Sequence, residues 1–270
     1  MWEGEDYVPS VLDQWMKDPN SDLWVLEFQG VVISFSHYLR FFPGYVWFEG
    51  LRTDPEFQGR GAGRALTLHM VQTAKKEGAS RIGLSLYSGN VASLRLAESL
   101  GFKKKASFVY LEGSPGDLPS KQKKFKIVPI CPFEVGDFLG SSNFLFISNG
   151  YLPLGWRFVP LSLGKEFALS QIKVALGIME GGEISSLLLS SEFSQPYEGF
   201  SLDFLDGERE EMLGILSSLR EVIGDRKSVE AFIPKCGKKE APALSLFRNL
   251  SFKTWDDFQE DVFVLELELS

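Results

Sequence analysis

The stretch that decides the fold runs from Asp54 to Leu66 and reads DPEFQGRGAGRAL. It follows a strand-like segment, YVWFEGLRT, and precedes a segment in which Leu66, Met70 and Ala74 recur at helical spacing. A helix start leaves several backbone N–H groups without partners at the positive end of the helix dipole, and an anion with several oxygens satisfies them. The stretch therefore predicts a phosphate-binding loop, with a merely flexible helix-start loop as the alternative.

The residue types of this loop favour a phosphate-binding role. Gly59, Gly61 and Gly63 would let the backbone approach a ligand without the obstruction of a Cβ atom. Arg60 and Arg64 would add positive charge on either side of Gly61. The segments around the loop decide between the two readings.

The order of elements around the loop occurs twice in the chain. Three strands precede the loop, and a helix, the strand SRIGLSLYS, a short helix ending at Gly101 and the strand ASFVYLE follow it. The second half repeats this order with KVALGIM, EISSLLLSSEF, GFSLDFL, the helix EREEMLGILSSLREVIG, SVEAFIPK, APALSLFRNLSF and VFVLELEL. The apolar residues of that longer helix share one side: Met212, Ile215, Leu216 and Leu219. A repeat of this length indicates a duplicated domain.

The segment GSPGDLPSKQKK, residues 113–124, is rich in Gly, Pro, Ser and Lys and is the best linker candidate. The fold class that we predict is α+β, in two tandem domains, each a mixed and mostly antiparallel sheet flanked by helices. The predicted boundaries are 1–115 for the first domain, 116–125 for the linker and 126–270 for the second domain.

Composition excludes several classes of function. The 270 residues suffice for two domains, and a net charge of −8 argues against a nucleic-acid partner. Two cysteines without a CxxC pair and two histidines argue against a His/Cys metal site, so we predict no metal. No apolar stretch is long enough for a membrane span, and the acidic start lacks the features of a signal peptide. We expect a cytoplasmic protein, and an oligomer remains possible.

Two motifs resemble those of the GCN5-related N-acetyltransferase (GNAT) superfamily. Its Gln/Arg-x-x-Gly-x-Gly/Ala signature is matched by Gln58, Gly61 and Gly63. A second signature, an Asn followed three residues later by a small residue and then by a helix ending in Gly-Phe, is matched from Asn90 and Ser93 to GF at 101–102. The two motifs lie at the family's usual separation, and the resemblance covers residues 2 to about 112.

The resemblance implies acetyl-CoA as the acetyl donor. Its pyrophosphate would lie on the N–H groups of residues 59–64, and its pantetheine arm would pair like an extra strand with residues 51–53, because strands four and five of this fold splay apart. Asn90 would reach the pantetheine or the start of the last helix. The predicted acetyl-CoA-binding residues are Leu51, Arg52, Thr53, Gln58, Gly59, Arg60, Gly61, Ala62, Gly63, Arg64, Asn90 and Ser93.

The family's usual catalytic acid is absent, because Ala97 stands where many family members carry the tyrosine that protonates the departing thiolate. The nearest alternative acids are Tyr87 and Ser85 on one strand and Tyr110 on the next, of which we take Tyr87 as the candidate, with water as the other possibility. Glu49, in an otherwise apolar run, is our candidate for the base that deprotonates the amine, since partial burial would raise its pKa. His37, on the neighbouring strand, is the second candidate. A structural role is the alternative for all three side chains.

The resemblance thus implies an N-acetyltransferase that transfers acetyl from acetyl-CoA to a primary amine of a small molecule or amino acid by direct attack. A CoA-binding sensor or regulatory module without turnover is the alternative. A looser resemblance to the histidine N-acetyltransferase-like group rests on EGEDYVPSVLDQW, FEGLRTDPEFQGRG and GWRFVP. The chain opens inside the region where the family has its first strand and helix, so we expect that part to be missing or truncated.

The second domain should be a degenerate copy. At the place of the glycine loop it reads FLDGEREEM, which crowds acidic side chains at a helix start: Asp206, Glu208, Glu210 and Glu211. These carboxylates suit the helix dipole but repel a pyrophosphate. We therefore expect acetyl-CoA to bind only in the first domain.

Overall fold

The structure is a computed structural model that describes residues 6–120, 124–191 and 199–269. The chain forms two compact units that interleave in sequence. The first unit contains the residues up to Leu86, Asn90–Lys104 and the residues from Val264 onward. The second unit contains Tyr87–Gly89 and Lys105–Phe263. None of the helices among the described residues is long and apolar enough to cross a membrane.

Eight helices lie in the described residues: α1 (Val8–Lys17), α2 (Ala62–Lys76), α3 (Val91–Ser99), α4 (Gly136–Ser141), α5 (Asn143–Ile147), α6 (Leu161–Gln171), α7 (Arg209–Ile223) and α8 (Pro242–Phe247). The strands of the first part of the chain are β1 (Ser21–Phe28), β2 (Val31–Phe42), β3 (Tyr45–Thr53), β4 (Arg81–Tyr87) and β5 (Lys103–Gly113). Those that follow are β6 (Val128–Pro129), β7 (Tyr151–Leu154), β8 (Arg157–Pro160), β9 (Val174–Glu180), β10 (Glu183–Ser190), β11 (Gly199–Leu202), β12 (Phe204–Gly207), β13 (Ser228–Cys236), β14 (Lys239–Glu240) and β15 (Val262–Glu268).

The repeated order of elements predicted from the sequence is present. The first series is β1, β2, β3, α2, β4, α3 and β5, and the second is β9, β10, β11 with β12, α7, β13, α8 and β15. The third strand of the second series differs from the prediction, because it consists of two strands separated at Asp203. Two regions hold elements that we did not predict: helix α1 before the first series, and the segment from α4 to α6 between the two series.

The sheet of the first unit is mixed and mostly antiparallel, as predicted. β2 lies between β1 and β3 and runs antiparallel to both, whereas β3 and β4 run parallel. Helix α2 buries the apolar side that its spacing predicts, with Leu66, Met70 and Ala74 all buried. The end of β15 continues this sheet beside β4. There the buried Glu266 accepts a 2.6 Å hydrogen bond from Arg81.

The second unit contains two groups of strands. β10 pairs antiparallel with β9 and β12, and β6 pairs with β9. β13 pairs parallel with β11 and antiparallel with β5. Because the chain breaks at Asp203, β11 can pair with β13 while β12 pairs with β10. The apolar side predicted for α7 is confirmed, since Met212, Ile215, Leu216 and Leu219 are buried.

The compact units do not follow the predicted domain boundaries at 115 and 126. Most of β5 belongs to the second unit, because its residues 108–113 pair with β13. The residues from Val264 onward belong to the first unit, because the end of β15 pairs beside β4. Strand pairing, and not position along the chain, thus decides to which compact unit these strands belong. The boundaries 1–115, 116–125 and 126–270 therefore stay a prediction about where the two sequence copies begin and end.

Candidate active site

The glycine loop leads directly into helix α2. Gly59 and Gly61 adopt positive φ angles of 72° and 88°, which side-chain-bearing residues rarely adopt. Gly61 is the residue before the first helical position, Ala62, and no side chain caps the helix there. A Cβ atom placed on Gly59 or Gly61 would meet nothing within 4 Å. The first N–H groups of α2 therefore start beside open space, as an anion-binding helix start requires.

Gly63 is a glycine for a different reason. A Cβ atom on it would lie 3.2 Å from the Thr53 hydroxyl, so the small residue lets α2 pack closely on the end of β3. The Thr53 hydroxyl also lies 3.0 Å from that of Ser34 on β2. The Gln58 side-chain amide donates to the Thr53 carbonyl over 3.2 Å. The loop and the end of β3, which the sequence assigned to two parts of one cofactor, are thus held together.

Strands β3 and β4 separate as the resemblance implied. Their parallel pairing extends from Tyr45–Arg81 to Phe48–Leu84, while β3 continues to Thr53. Within this extension the Arg52 carbonyl accepts from the Ser34 hydroxyl on β2. Because backbone groups alternate in direction along a strand, Leu51 and Thr53 turn theirs to the edge that β4 has left. Of the three predicted strand residues, these two thus turn their backbone groups away from β2, whereas Arg52 turns its own toward β2, and their contact with a ligand stays a prediction.

Arg52 uses its side chain elsewhere. Its guanidinium donates to both carboxylate oxygens of Asp6, each over 2.8 Å, and lies 5.5 Å from the centre of the Tyr7 ring. The hydrogen bonds from Arg52 lower the pKa of Asp6. Arg60 and Arg64 are exposed, and the Arg60 guanidinium lies 5.6 Å from the centre of the Phe57 ring. The two exposed arginines thus supply the positive charge of the loop.

Asn90 has a local structural role at the start of α3. Its side-chain oxygen accepts from the Ser93 N–H over 3.2 Å, which caps the helix. Both residues of the second motif are therefore explained by helix capping, and their contact with acetyl-CoA stays a prediction. Ala97, further along the helix, is buried.

The two candidate bases form one pair. His37 and Glu49 are direct partners across β2 and β3, and His37 Nδ1 lies 2.8 Å from Glu49 Oε1. The His37 side chain is 1% exposed and that of Glu49 is 16% exposed, so Glu49 is the member that a substrate can reach. Among the described residues, His37 Nε2 has no hydrogen-bond partner. The sequence predicted each residue separately but not their contact.

Trp15 of helix α1 covers this pair. Its ring stacks on the His37 imidazole with 4.3 Å between centroids and 3° between planes. Gly50 has a φ of 69°, and a Cβ atom there would lie 2.6 Å from the Trp15 ring. Glycine at position 50 therefore lets the indole lie against β3. Neither Trp15 nor Asp6 is among the residues predicted from the sequence, although Val8, Val11 and Trp15 share one helical side after a proline-containing first turn.

Tyr87 lies in the second unit. Its hydroxyl donates to Asp256 Oδ1 over 3.1 Å, and its ring packs against Trp255. Burial and the Asp256 carboxylate raise the pKa of Tyr87. Its role as the acid that protonates the departing thiolate stays a prediction.

Comparison with known proteins gives one family match, to the first part of the chain, and matches to individual proteins. Residues 1–102 match the family described as "Acetyltransferase (GNAT) family". The [Ribosomal protein bS18]-alanine N-acetyltransferase of Escherichia coli strain K12 is 38% identical over 52 residues, which are 19% of this chain and 35% of that protein. The mycothiol acetyltransferase of Thermomonospora curvata is 34% identical over 117 residues, which are 42% of this chain and 38% of that protein. The chain thus spans just over a third of the length of these curated relatives.

Solved structures resemble the chain over nearly its whole length. The GCN5-related N-acetyltransferase of Sphaerobacter thermophilus aligns with a TM-score of 0.60 and 15% identity, covering 98% of this chain and 86% of its own. A tandem GNAT protein from the clavulanic acid biosynthesis pathway aligns with a TM-score of 0.55 and 15% identity, covering 93% of this chain and 84% of its own. At this identity the likeness establishes the fold alone. The narrower resemblance to histidine N-acetyltransferase-like proteins stays a prediction.

Proposed function

We propose that the chain, whose residues 1–102 match the GNAT acetyltransferase family, transfers an acetyl group from acetyl-CoA to a primary amine by direct attack. The observation that carries this proposal is the placement of the open glycine loop against the end of β3 that extends beyond its pairing with β4. An anion-binding helix start and a free strand edge are what a ligand with a pyrophosphate and an extended amide-bearing arm needs.

The first unit offers groups for each part of acetyl-CoA. The open space at Gly59 and Gly61 fits a pyrophosphate, with the N–H groups of residues 59–64 as donors and the exposed Arg60 and Arg64 as counter-charges. The backbone of Leu51 and Thr53 fits the pantetheine arm. Asn90 and Ser93 act by holding the start of α3.

Glu49 is the proposed general base. Only the neutral amine attacks the thioester carbonyl, so a proton must leave the incoming ammonium group. Glu49 accepts this proton at its carboxylate, while His37 Nδ1 holds Oε1 over 2.8 Å. Trp15, stacked on the imidazole, fixes the orientation of His37. The new C–N bond forms as the C–S bond breaks, and the thiolate takes a proton from Tyr87 or from water.

Replacement of Glu49 by glutamine tests this function. Glu49→Gln should lower turnover about 10²- to 10⁴-fold, the typical loss for a general base, while acetyl-CoA affinity stays unchanged. The loss should shrink at high pH, because more of the amine is then already neutral. The measurement is a pH–rate profile of thiol release, with affinity from calorimetry. Glu27→Gln, at an exposed position on β1, is the matched control.

The result also separates Glu49 from His37. If Glu49→Gln keeps wild-type turnover near neutral pH while His37→Gln loses it, His37 is the base and Glu49 only orients it. If both variants keep turnover, neither side chain has a catalytic role.

The second candidate function is a CoA-binding sensor, and the observation in its favour is the buried Ala97 at the place of the family's tyrosine. Thiol release from acetyl-CoA with a panel of amines distinguishes the two. Because one relative is a ribosomal-protein alanine N-acetyltransferase, the panel includes an alanine-terminated peptide beside free amino acids and small amines. Thermal stabilisation by CoA without turnover on any of them would favour the sensor.

A further inference from the structure

The second unit contains a group of aromatic side chains of which only Tyr87 has a part in the proposed acetyl transfer. Tyr87, Tyr110, Trp156 and Trp255 form this aromatic cluster. The ring centroids of Tyr110 lie 4.7 Å from Trp255 and 5.2 Å from Trp156, and that of Tyr87 lies 5.0 Å from Trp255. Trp255 is 40% exposed, so the cluster presents an accessible ring. An accessible tryptophan face attracts cations through its quadrupole.

Asp261 adds a carboxyl group to this cluster. It is fully buried, and its Oδ1 accepts from the Tyr110 N–H over 2.7 Å. Its other oxygen, Oδ2, is buried and has no hydrogen-bond partner among the described residues. Nearby, Asp256 accepts from the Tyr87 hydroxyl. Buried polar atoms normally have partners, so an acceptor left open beside aromatic rings calls for a donor from outside the chain.

A second buried carboxyl group lies one strand further. Glu230 on β13 is 2% exposed and stands directly opposite Glu112 on β5. Among the described residues, no arginine or lysine forms an ion pair with Asp256, Asp261, Glu112 or Glu230. In the part of the chain that the structure describes, these four carboxyl groups on or beside the aromatic cluster thus have no ion-pair partner.

Burial raises the pKa of Asp261 to about 7, and Asp256 adds to this increase. Burial, together with the Glu112 carboxylate, also raises the pKa of Glu230 to about 7. Two N–H groups, those of Tyr110 and Trp255, lower the pKa of Asp261 in part by favouring its ionised form. For Glu230, the Tyr110 hydroxyl lowers the pKa, whereas the Asp203 carboxylate raises it further. A cation bound beside such carboxyl groups would favour their ionised form.

We propose that the aromatic cluster and the Asp261 carboxyl group form a binding site for the primary ammonium group of a small molecule. The Trp255 ring receives the apolar part of the ligand and the charge, and Asp261 Oδ2 accepts an N–H hydrogen bond. The need for an N–H donor selects a primary ammonium over a quaternary one. The ligand is either the acceptor of the proposed transfer or a separate effector, and binding itself does not depend on the transfer.

Titration of the intact protein with n-butylammonium and phenethylammonium, followed by tryptophan fluorescence and calorimetry, tests the site. Both probes should bind, and the neutral analogues n-butanol and phenylethanol should bind at least about 10-fold more weakly. Affinity should increase as the pH rises from about 6 to about 8, because Asp261 becomes ionised while the probes stay protonated. Equal binding of amines and alcohols, or no saturable binding of either amine, would overturn the proposal.

Variants locate the binding. Trp255→Leu and Asp261→Asn should each weaken phenethylammonium binding about 10-fold or more, whereas Asp257→Asn, at an exposed neighbouring acid, should have no effect. Since Asp261→Asn changes a buried group, the exposed Trp255 keeps the test decisive if that variant fails to fold. Wild-type affinity in Trp255→Leu would contradict the site.

A further measurement identifies the source of the ligand. If a bound amine is acetylated, and Trp255→Leu raises its KM while acetyl-CoA affinity stays constant, the site holds the acceptor. If the amine binds in the same way but is never acetylated, the site holds an effector. Unchanged transfer in Glu49→Gln, together with amine binding that Trp255→Leu weakens, would overturn the base assignment and leave this site intact.

Discussion

The loops before α2 and before α7 occupy equivalent places in the two series of elements. They differ in whether the N–H groups at the helix start face open space or are covered by the chain itself. Before α2, Gly59 and Gly61 face open space. Before α7, a Cβ atom on Gly207 would collide with Ser186. The Ser186 hydroxyl accepts from the Glu208 N–H over 3.0 Å and donates to Glu211 Oε2 over 2.6 Å. The same strand–loop–helix arrangement thus leaves its N–H groups open to a ligand before α2, whereas before α7 the Glu208 N–H is hydrogen-bonded within the chain.

The acidic residues of the second loop have structural roles of their own. The Asp206 carboxylate accepts from the Ser142 hydroxyl over 2.6 Å and from the Phe144 N–H over 3.0 Å, which fixes the start of α5. Glu210 and Glu211 lie in the first turn of α7, where negative charge is favourable. The sequence predicted that charge would exclude a pyrophosphate from this loop. The structure adds that Ser186 lies where the ligand would have to enter.

The largest effect should come from closing the first loop with charge. Gly61→Glu should weaken acetyl-CoA binding about 10³-fold, because two like charges about 4 Å apart cost about 4 kcal/mol at moderate dielectric. Glu208→Gln, at the equivalent start of α7, should leave the affinity unchanged. The measurement is calorimetric titration, in which the wild type should bind one acetyl-CoA per chain.

A backbone control accompanies this prediction, because Gly61 has a positive φ. Asparagine tolerates this conformation better than other residues, so Gly61→Asn should keep the fold and still lose affinity. Two acetyl-CoA molecules per chain, or unchanged affinity in both Gly61 variants, would remove the distinction between the loops.

The next largest effect should be on stability, and it should appear in the other loop. Gly207→Ala should lower the free energy of unfolding by about 2–5 kcal/mol, from the disfavoured φ of 132° together with overpacking against Ser186. Gly61→Ala should cost only about 1–2 kcal/mol, from backbone strain alone. Urea unfolding measures both. Equal losses in the two variants would show that the contrast in packing has no energetic weight.

Much of the fold could be predicted from the sequence, because local signals and core burial agree there. The apolar spacing of α2 and α7, the glycines of the first loop and the helix stop at Gly101 each have a local physical cause. The contact between His37 and Glu49 could not be predicted in this way. The pairing of β2 with β3 contains two irregularities, between Phe35 and His37 and between Arg40 and Phe42, and each changes which residues face one another.

Other features depend on partners that are distant in sequence. Asp203 ends β11 because its buried carboxyl group accepts from the Gly155 and Ser191 N–H groups, which no local pattern reveals. Strand pairing likewise places most of β5 in the second unit and the end of β15 in the first unit. Helix α1 is different, because the spacing of Val8, Val11 and Trp15 is a local signal from which it could have been predicted.

The smallest predicted effect concerns two sets of carboxyl groups, those bonded to arginine in the first unit and the buried ones of the second unit, whose pKa values move in opposite directions. In the first unit, hydrogen bonds from Arg52 and Arg40 lower the pKa of Asp6 and Glu77. Their contribution to stability is present above the unfolded-state pKa of about 4 and is lost only as the pH falls further. In the second unit, burial raises the pKa of Asp203 to about 6 and that of Glu230 to about 7.

These raised values give the pH dependence its sign. Between about pH 4 and pH 7 the folded state binds more protons than the unfolded state, so stability falls as the pH rises through that window. Each of these groups contributes at most about 1.4 kcal/mol per pH unit. We expect the wild type to lose a few kcal/mol between about pH 5 and pH 8, and Glu230→Gln to lose about 1–2 kcal/mol less, because glutamine cannot ionise. Glu77→Gln, the matched variant of the first unit, should keep the wild-type slope. Urea unfolding at several pH values decides the question, and stability that increases with pH in the wild type would contradict the burial of these groups.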